Sequence, residues 1–288
     1  MACFGAQAGC LNVLRLLDPV ANTRAFLLLW RSVKQYRELL WEMTQRDVFE
    51  RQAGLAFGGF WVIGQPLLMM LVYVFVFSFI FTVRLNVHDT GLDYTTFLMA
   101  GLVPWLAFQE AIGRAPTLIL ESRSLVKQIV FPIDILPLKV VLSTLVVLAI
   151  GLAFPLGLML LDGTARPLFW LLLPIPILSH LALAIGLTYA LAAAGVFLRD
   201  TRNIVQLFLM VGLFLHPILY APGMVPAKLK VVFYLSPLSH NIWIYRDAVL
   251  GHLTHLPSWI IAPVTSFFVL VIGYRLFRSM SHMFGDAL

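Results

Sequence analysis

Charge is what this chain has least of: Asp, Glu, Lys and Arg make up 12% of its 288 residues, against 60% hydrophobic residues. Soluble domains carry roughly 25% charged residues, so this chain has too little polar surface to cover a globule in water. Cysteine is scarce as well. The only two, Cys3 and Cys10, lie within the first ten residues, which excludes a disulfide framework. Gln7-Ala8-Gly9-Cys10 has the outline of a lipoprotein cleavage site, but neither a basic nor an apolar region precedes it, so no cleavable signal is expected there. Segments of alternating polarity are missing; runs such as 67–77 are apolar throughout, which excludes a transmembrane β-barrel. No Lys follows a Gly, so no GxxxxGK(S/T) phosphate loop exists and the chain cannot hydrolyse ATP by that route. A GxSxG elbow is absent, which argues against a hydrolase. His252 and His255 lie at i, i+3, but no Cys, Asp or Glu completes a metal set around them, so no metal is expected. The net charge of +6 is scattered through loops rather than gathered on one domain, and nucleic acid is not an expected partner.

What the chain does have is long apolar blocks and a mean hydropathy of +0.91. A membrane-spanning helix needs about 20 such residues, so the expected fold is an all-α integral membrane protein. Residues 1–32 read as an irregular cytoplasmic tail with a patch, Phe26 to Trp30, too short to span. Residues 33–54 read as an amphipathic interface helix: Tyr36, Leu39, Leu40 and Met43 recur at helical spacing, opposite a charged face. Residues 55–288 then hold six spans: Leu55–Phe81, Tyr94–Ile112, Ile135–Leu161, Leu168–Phe197, Ile204 to about Tyr220, and Trp259–Phe277. The first must tilt or break, with Gly54, Gly58, Gly59, Gly64 and Pro66 crowding one half; Pro174 and Pro176 should kink the fourth.

Residues 229–250 should not cross. They contain Ser236-Pro237, Ser239-His240-Asn241 and Arg246-Asp247, and a charge at the bilayer centre costs about 2.5–3.5 kcal/mol. Two re-entrant half-helices, Lys228–Leu235 and Leu238–Leu250, dipping into the outer leaflet are expected instead. With both termini inside, fifteen of the 20 Lys and Arg fall on the cytoplasmic side and five outside, as the positive-inside rule requires.

Two groups of polar residues stand out. Glu110 and Arg114 lie one helical turn apart at the inner end of the second span, either as a self-neutralising interfacial pair or as lining for a hydrophilic substrate. Glu121-Ser-Arg-Ser-Leu-Val-Lys-Gln128 is a short charged helix between the second and third spans, closed by Phe131-Pro132.

Arg46-Asp47, Arg51, Gly58, Trp61, Pro66-Leu67-Leu68 and Val72-Tyr73 keep the spacing RDxxxRYxxSxLGxxWxxxxPLLxxLVY. That pattern resembles the permease subunits of ABC exporters of the polysaccharide type, which export O-antigen, capsule or teichoic acid. Ala100-Gly-Leu-Val-Pro-Trp105, Leu125-Val-Lys-Gln-Ile-Val-Phe-Pro132, Ile135-Leu-Pro-Leu138, Phe197-Leu-Arg-Asp200 and Tyr245-Arg246 agree in order. The chain departs at Gln52, Leu55, His216 before Pro217, and Ser236 before Pro237.

The resemblance implies a homodimer in the bacterial inner membrane that pairs with two copies of a separate ATPase. The ATPase would bind the ATP and Mg, leaving no cofactor in this chain. The complex would move a lipid-linked glycan outward. The resemblance also assigns ATPase coupling to 33–51 and 118–130, with Arg46, Asp47, Arg51, Glu121, Arg123 and Lys127 as contacts. It assigns the channel and outer gate to Glu110, Arg114, Phe214, His216, Pro217, Tyr220, Phe233, Tyr234, Trp243 and Tyr245. Those aromatics would either stack on sugar rings or anchor the gate at the membrane interface. A small-molecule or drug exporter of the same superfamily, and a non-transporting membrane scaffold, are the alternatives.

Overall fold

A computed structural model describes residues 19–50, 60–76, 94–127, 131–220 and 227–287. Every regular element among them is helical. In chain order these are α1 (Pro19–Gln35), α2 (Arg37–Glu50), α3 (Phe60–Val74), α4 (Tyr94–Arg114), α5 (Leu118–Glu121) and α6 (Arg123–Val126). They are followed by α7 (Ile135–Ser143), α8 (Leu145–Leu161), α9 (Pro167–Trp170), α10 (Pro174–Phe197) and α11 (Thr201–Leu215). The chain ends with α12 (Ala227–Leu235), α13 (Pro237–Leu250), α14 (Ser258–Met280) and α15 (Phe284–Ala287).

Four stretches are long and apolar enough to cross a membrane: Tyr94–Glu121, Ile135–Leu161, Pro167–Phe197 and Ser258–Met283. They coincide with the expected second, third, fourth and sixth spans. The apolar helices α3 and α11 have 15 residues each, about 22 Å, shorter than a bilayer core of about 30 Å. Gly54, Gly58 and Gly59 of the expected first span lie outside the described residues, whereas Pro66 sits inside α3. In the fourth span the prolines begin a helix rather than kink one. The chain turns after α9, and Pro174 opens α10, where its missing N–H has no intrahelical acceptor to lose.

Two differences from the sequence reading concern the first 130 residues. The tail expected to be irregular is helical from Pro19 to Gln35. Asn22, Ala25 and Leu29 recur at helical spacing and are buried, and Phe26 meets Phe267 of α14 at 5.4 Å between ring centroids. The patch was too short to span, but it is long enough to dock on a span. The charged segment after α4 forms two single turns, α5 and α6, which meet at Ser122 instead of making one helix.

Helices α10 and α14 pack with their backbones in near contact. A Cβ on Gly273 would lie 1.9 Å from the carbonyl oxygen of Gly186, and one on Gly186 would lie 2.4 Å from that of Val269. Small residues permit such approach where lipid supplies no hydrophobic drive between helices. At the centre lies α4, with Trp105, Phe108, Leu98 and Met99 almost wholly buried. Leu238 to Leu250 of α13 are all buried, although Ser239, His240, Asn241, Arg246 and Asp247 are among them. Polar side chains of this density survive only inside protein, and α4, α10, α12 and α14 surround them.

Candidate functional site

Polar side chains gather in three places along the bundle. The first is the junction of α2 with the C-terminal end of α4. Asp47 is buried and accepts two hydrogen bonds from Arg114, at 2.8 Å to Nη1 and 2.6 Å to Nη2, while Lys139 Nζ of α7 lies 3.8 Å away. A bidentate guanidinium–carboxylate pair fixes orientation as well as distance, so α2 is stapled to α4 and α7. The sequence reading placed Asp47 against an ATPase and Arg114 in a channel; the structure brings the two together, across 67 positions of sequence. Arg46 instead points outward and pairs with Glu50 at 3.0 Å. Glu121, Arg123 and Lys127 are exposed on or just beyond α5 and α6. Arg51 lies outside the described residues.

The second place is a groove on the face of α4. A cavity of about 690 Å³ opens between α3, α4 and the α7–α8 pair, with Trp61, Gln65, Tyr73, Gln109, Glu110 and Ser143 on its walls. A hollow of about 360 Å³ adjoins it and shares Tyr73 and Gln109; Gln206 and Phe214 of α11 complete it. The two form one groove whose polar groups are amides, a phenol, a hydroxyl and a carboxyl, on helices otherwise apolar. Glu110 and Phe214 were legible in the sequence. Gln65, Tyr73, Gln109 and Gln206 were not assigned to the channel; for the three glutamines the available signal was an amide placed inside an apolar run.

The third place is the segment between α11 and α14. Helix α11 ends at Leu215, and Gly212 O accepts from His216 Nδ1 at 2.8 Å; Nε2 is then the acceptor for the Ser236 hydroxyl at 3.0 Å. Pro217 is buried and Tyr220 half-buried. Phe233 is buried, Tyr234 and Phe214 are exposed, and Tyr245 has no exposed surface. Trp243 is 5% exposed and lies face to face with His255, with centroids 4.9 Å apart and planes 4° apart; Tyr234 lies 5.0 Å away. Within the folded chain, therefore, Tyr234 and Phe214 present open ring faces, while Trp243 and Tyr245 are enclosed.

Helix α13 is held from several sides. Asn241 Nδ2 donates to Ser266 Oγ of α14 at 3.1 Å, and that oxygen is 3.1 Å from Ser179 Oγ of α10. Asp247 accepts from Thr254 Oγ1 at 2.7 Å, His255 N at 3.0 Å and Trp259 Nε1 at 3.1 Å. Burial pushes the Asp247 carboxyl up, but the hydrogen bond from the His255 ring together with these three outweighs it and leaves the group below its ordinary value. Among the described residues no group of three or more His, Cys, Asp or Glu could hold a metal ion.

An all-helical bundle with four stretches long and apolar enough to cross a membrane, and a groove walled by polar side chains, is the architecture of a polytopic membrane protein. The chain belongs to the ABC-2 type transporter family, whose model matches residues 38–250. It is 25% identical over 252 residues to the O-antigen export system permease protein RfbA of Klebsiella pneumoniae, covering 87% of this chain and 95% of that one. To the O-antigen export system permease protein RfbA of Myxococcus xanthus it is 33% identical over 190 residues, 66% of this chain and 71% of that one. The family is that of transporter membrane subunits that work with an ATPase subunit, and with its membrane-length helices the chain is a multi-pass inner-membrane protein.

Proposed function

We infer that this chain is the membrane subunit of an ATP-driven exporter of a lipid-linked polysaccharide, O-antigen before capsule or teichoic acid. The relatives' printed role supplies the substrate class, and one observation carries it to this chain: the groove of Gln65, Tyr73, Gln109, Glu110 and Gln206 offers amide and hydroxyl groups to a hydroxyl-rich substrate. Two copies of the chain face each other across their grooves, and two copies of a separate ATPase bind the ATP and Mg and dock on the exposed charges of 121–127. Six spans, with α3 and α11 as the short ones, put both termini in the cytoplasm. Helices α12 and α13 fold back into the outer leaflet as the gate.

The test is replacement of Gln65, Gln109 and Gln206 together by Leu. In a strain lacking its own permease, the parental chain and its ATPase should restore surface polysaccharide. The triple variant, made at the same level in the membrane, should restore less than about a tenth of it, because each removed amide leaves a substrate hydroxyl unpaired at about 1–3 kcal/mol. Parental export by that variant would refute the route. Topology is tested separately, by single cysteines labelled from outside. Positions Asp89, Thr164 and His255 should react and Gln35, Leu125, Asp200 and Gly285 should not; labelling at Leu125 would overturn the six-span arrangement.

A further inference from the structure

Helix α1 has a face that takes no part in the groove or in the 121–127 surface proposed to meet the ATPase. Its sequence, PVANTRAFLLLWRSVKQ, contains three cations, Arg24, Arg31 and Lys34, and no acidic residue. All three cations are exposed. So are Leu27 at 52% and Trp30 at 61%. At 100° per residue these five fall on the side opposite the buried Asn22, Ala25 and Leu29.

The buried side fixes where that face lies. The Phe26 ring packs against Phe267 with centroids 5.4 Å apart and planes tilted by 56°, and Asn22 Oδ1 accepts from Arg275 Nη1 at 2.6 Å. Those two residues of α14 are eight positions apart, about 12 Å along a helix that crosses the membrane. Ser32 of α1 hydrogen-bonds Tyr274, next to Arg275, so α1 crosses α14 near its C-terminal end, and the Phe26 ring reaches the middle of that spanning helix. A helix there cannot stand clear of the bilayer. Its outward Leu27 and Trp30 meet acyl chains and the interface, and Arg24, Arg31 and Lys34 extend to the headgroup level, as long basic side chains do.

We propose that α1 is a binding surface for anionic phospholipid of the cytoplasmic leaflet, with Arg24, Arg31 and Lys34 holding headgroup phosphates and Leu27 and Trp30 seated among the chains. The occupant follows from charge complementarity. Three cations without one carboxylate in 17 residues, interleaved with exposed Leu and Trp, suit a negatively charged apolar boundary. The α2 surface beside it differs, since Arg37 and Arg46 there stand with Glu38 and Glu50.

The purified full-length permease, mixed with a fixed excess of phosphatidylglycerol or phosphatidylcholine and weighed intact by native mass spectrometry, tests this. The parental chain should retain phosphatidylglycerol in preference. The variant Arg24→Gln/Arg31→Gln/Lys34→Gln should lose at least about tenfold of that preference, given about a fivefold gain per cation at an anionic surface. The charge-matched control Arg46→Gln/Arg123→Gln/Lys127→Gln should keep it. In vesicles, the fluorescence lost in Trp30→Phe should be quenched more by brominated phosphatidylglycerol than by brominated phosphatidylcholine. Unchanged binding in the helix variant, equal loss in the control, or equal quenching by the two lipids would each overturn the proposal. Normal lipid binding in the helix variant with loss of the ATPase subunit would assign the face to a protein instead.

Discussion

Reversing Arg123 and Lys127 together to Glu is expected to abolish export while the partner ATPase continues to hydrolyse ATP without transport. Both side chains are exposed at α6, and the turn beneath them is anchored by Val126, Leu118 and Ile119, all buried. The substitution changes the local charge by four units on a surface proposed to meet another protein. Like-charge juxtaposition at an interface costs several kcal/mol, which is about a hundredfold or more in association. Stability of the isolated permease should move by only about 0.5 kcal/mol, because exposed positions tolerate substitution. Helix α5, beside the turn, packs on α7 and α10. Asp134 precedes α7; its carbonyl accepts from Tyr189 of α10 at 2.6 Å, and its carboxylate accepts from Arg278 of α14 at 2.7 Å and Tyr274 at 3.2 Å. Both α5 and Asp134 therefore bear on α10. Export at the parental level in the double variant, measured beside ATP turnover of the reconstituted complex, would show that these charges carry no coupling.

Four of the six expected spans were readable because their signal is local. The third was bounded in the sequence as Ile135–Leu161 and has those bounds in the structure. Ser236-Pro237 marked the break between the outer half-helices because Pro lacks the amide donor, and α12 and α13 meet there. Contacts between distant segments were not readable. Asp47 and Arg114 each appeared as a member of a separate group, and nothing in one sequence pairs positions 67 apart. Helix α1 was missed for a related reason: alone it resembles a basic tail, and only the side of α14 gives its apolar face a partner. His216 and Ser236 looked like two unrelated departures from the family pattern, yet they are hydrogen-bonded to each other at 3.0 Å. Two departures within one motif set were themselves a signal that the pair is a unit.

Arg246 should separate stability from transport. Its guanidinium is 3% exposed and lies 3.8 Å from the centroid of Phe97. Nη2 donates to the carbonyl of Ile218 at 2.5 Å, Nε finds no partner, and no carboxylate pairs with it among the described residues. Only glycine leaves room for it on α4, since a Cβ on Gly101 would come within 2.8 Å of Nη2. Burying an uncompensated cation costs several kcal/mol, against about 2 kcal/mol for a desolvated cation–π contact and about 1.5–3 kcal/mol for one charged hydrogen bond. The terms nearly cancel, so Arg246 is a poor investment in stability. What it does secure is position: with Tyr94 OH donating to Leu219 O at 3.0 Å, it ties the segment after α11 to both α4 and α13. Arg246→Met keeps the unbranched apolar stem and most of the volume and removes the charge. Its unfolding free energy should stay within about 1 kcal/mol of the parent, or rise, because an apolar side chain of similar volume replaces a buried ion at little or no cost. Export should nevertheless fall at least about tenfold, because a displacement of about 1 Å at a working site can cost up to a hundredfold. Gly101→Ala, which pushes the same guanidinium aside without removing it, should reproduce the export defect. Thermal unfolding in detergent and surface polysaccharide in the complemented strain measure the two quantities. Parental export by both variants would leave Arg246 without a role in transport, and a collapse in stability for Arg246→Met would show that the desolvation argument has the wrong sign.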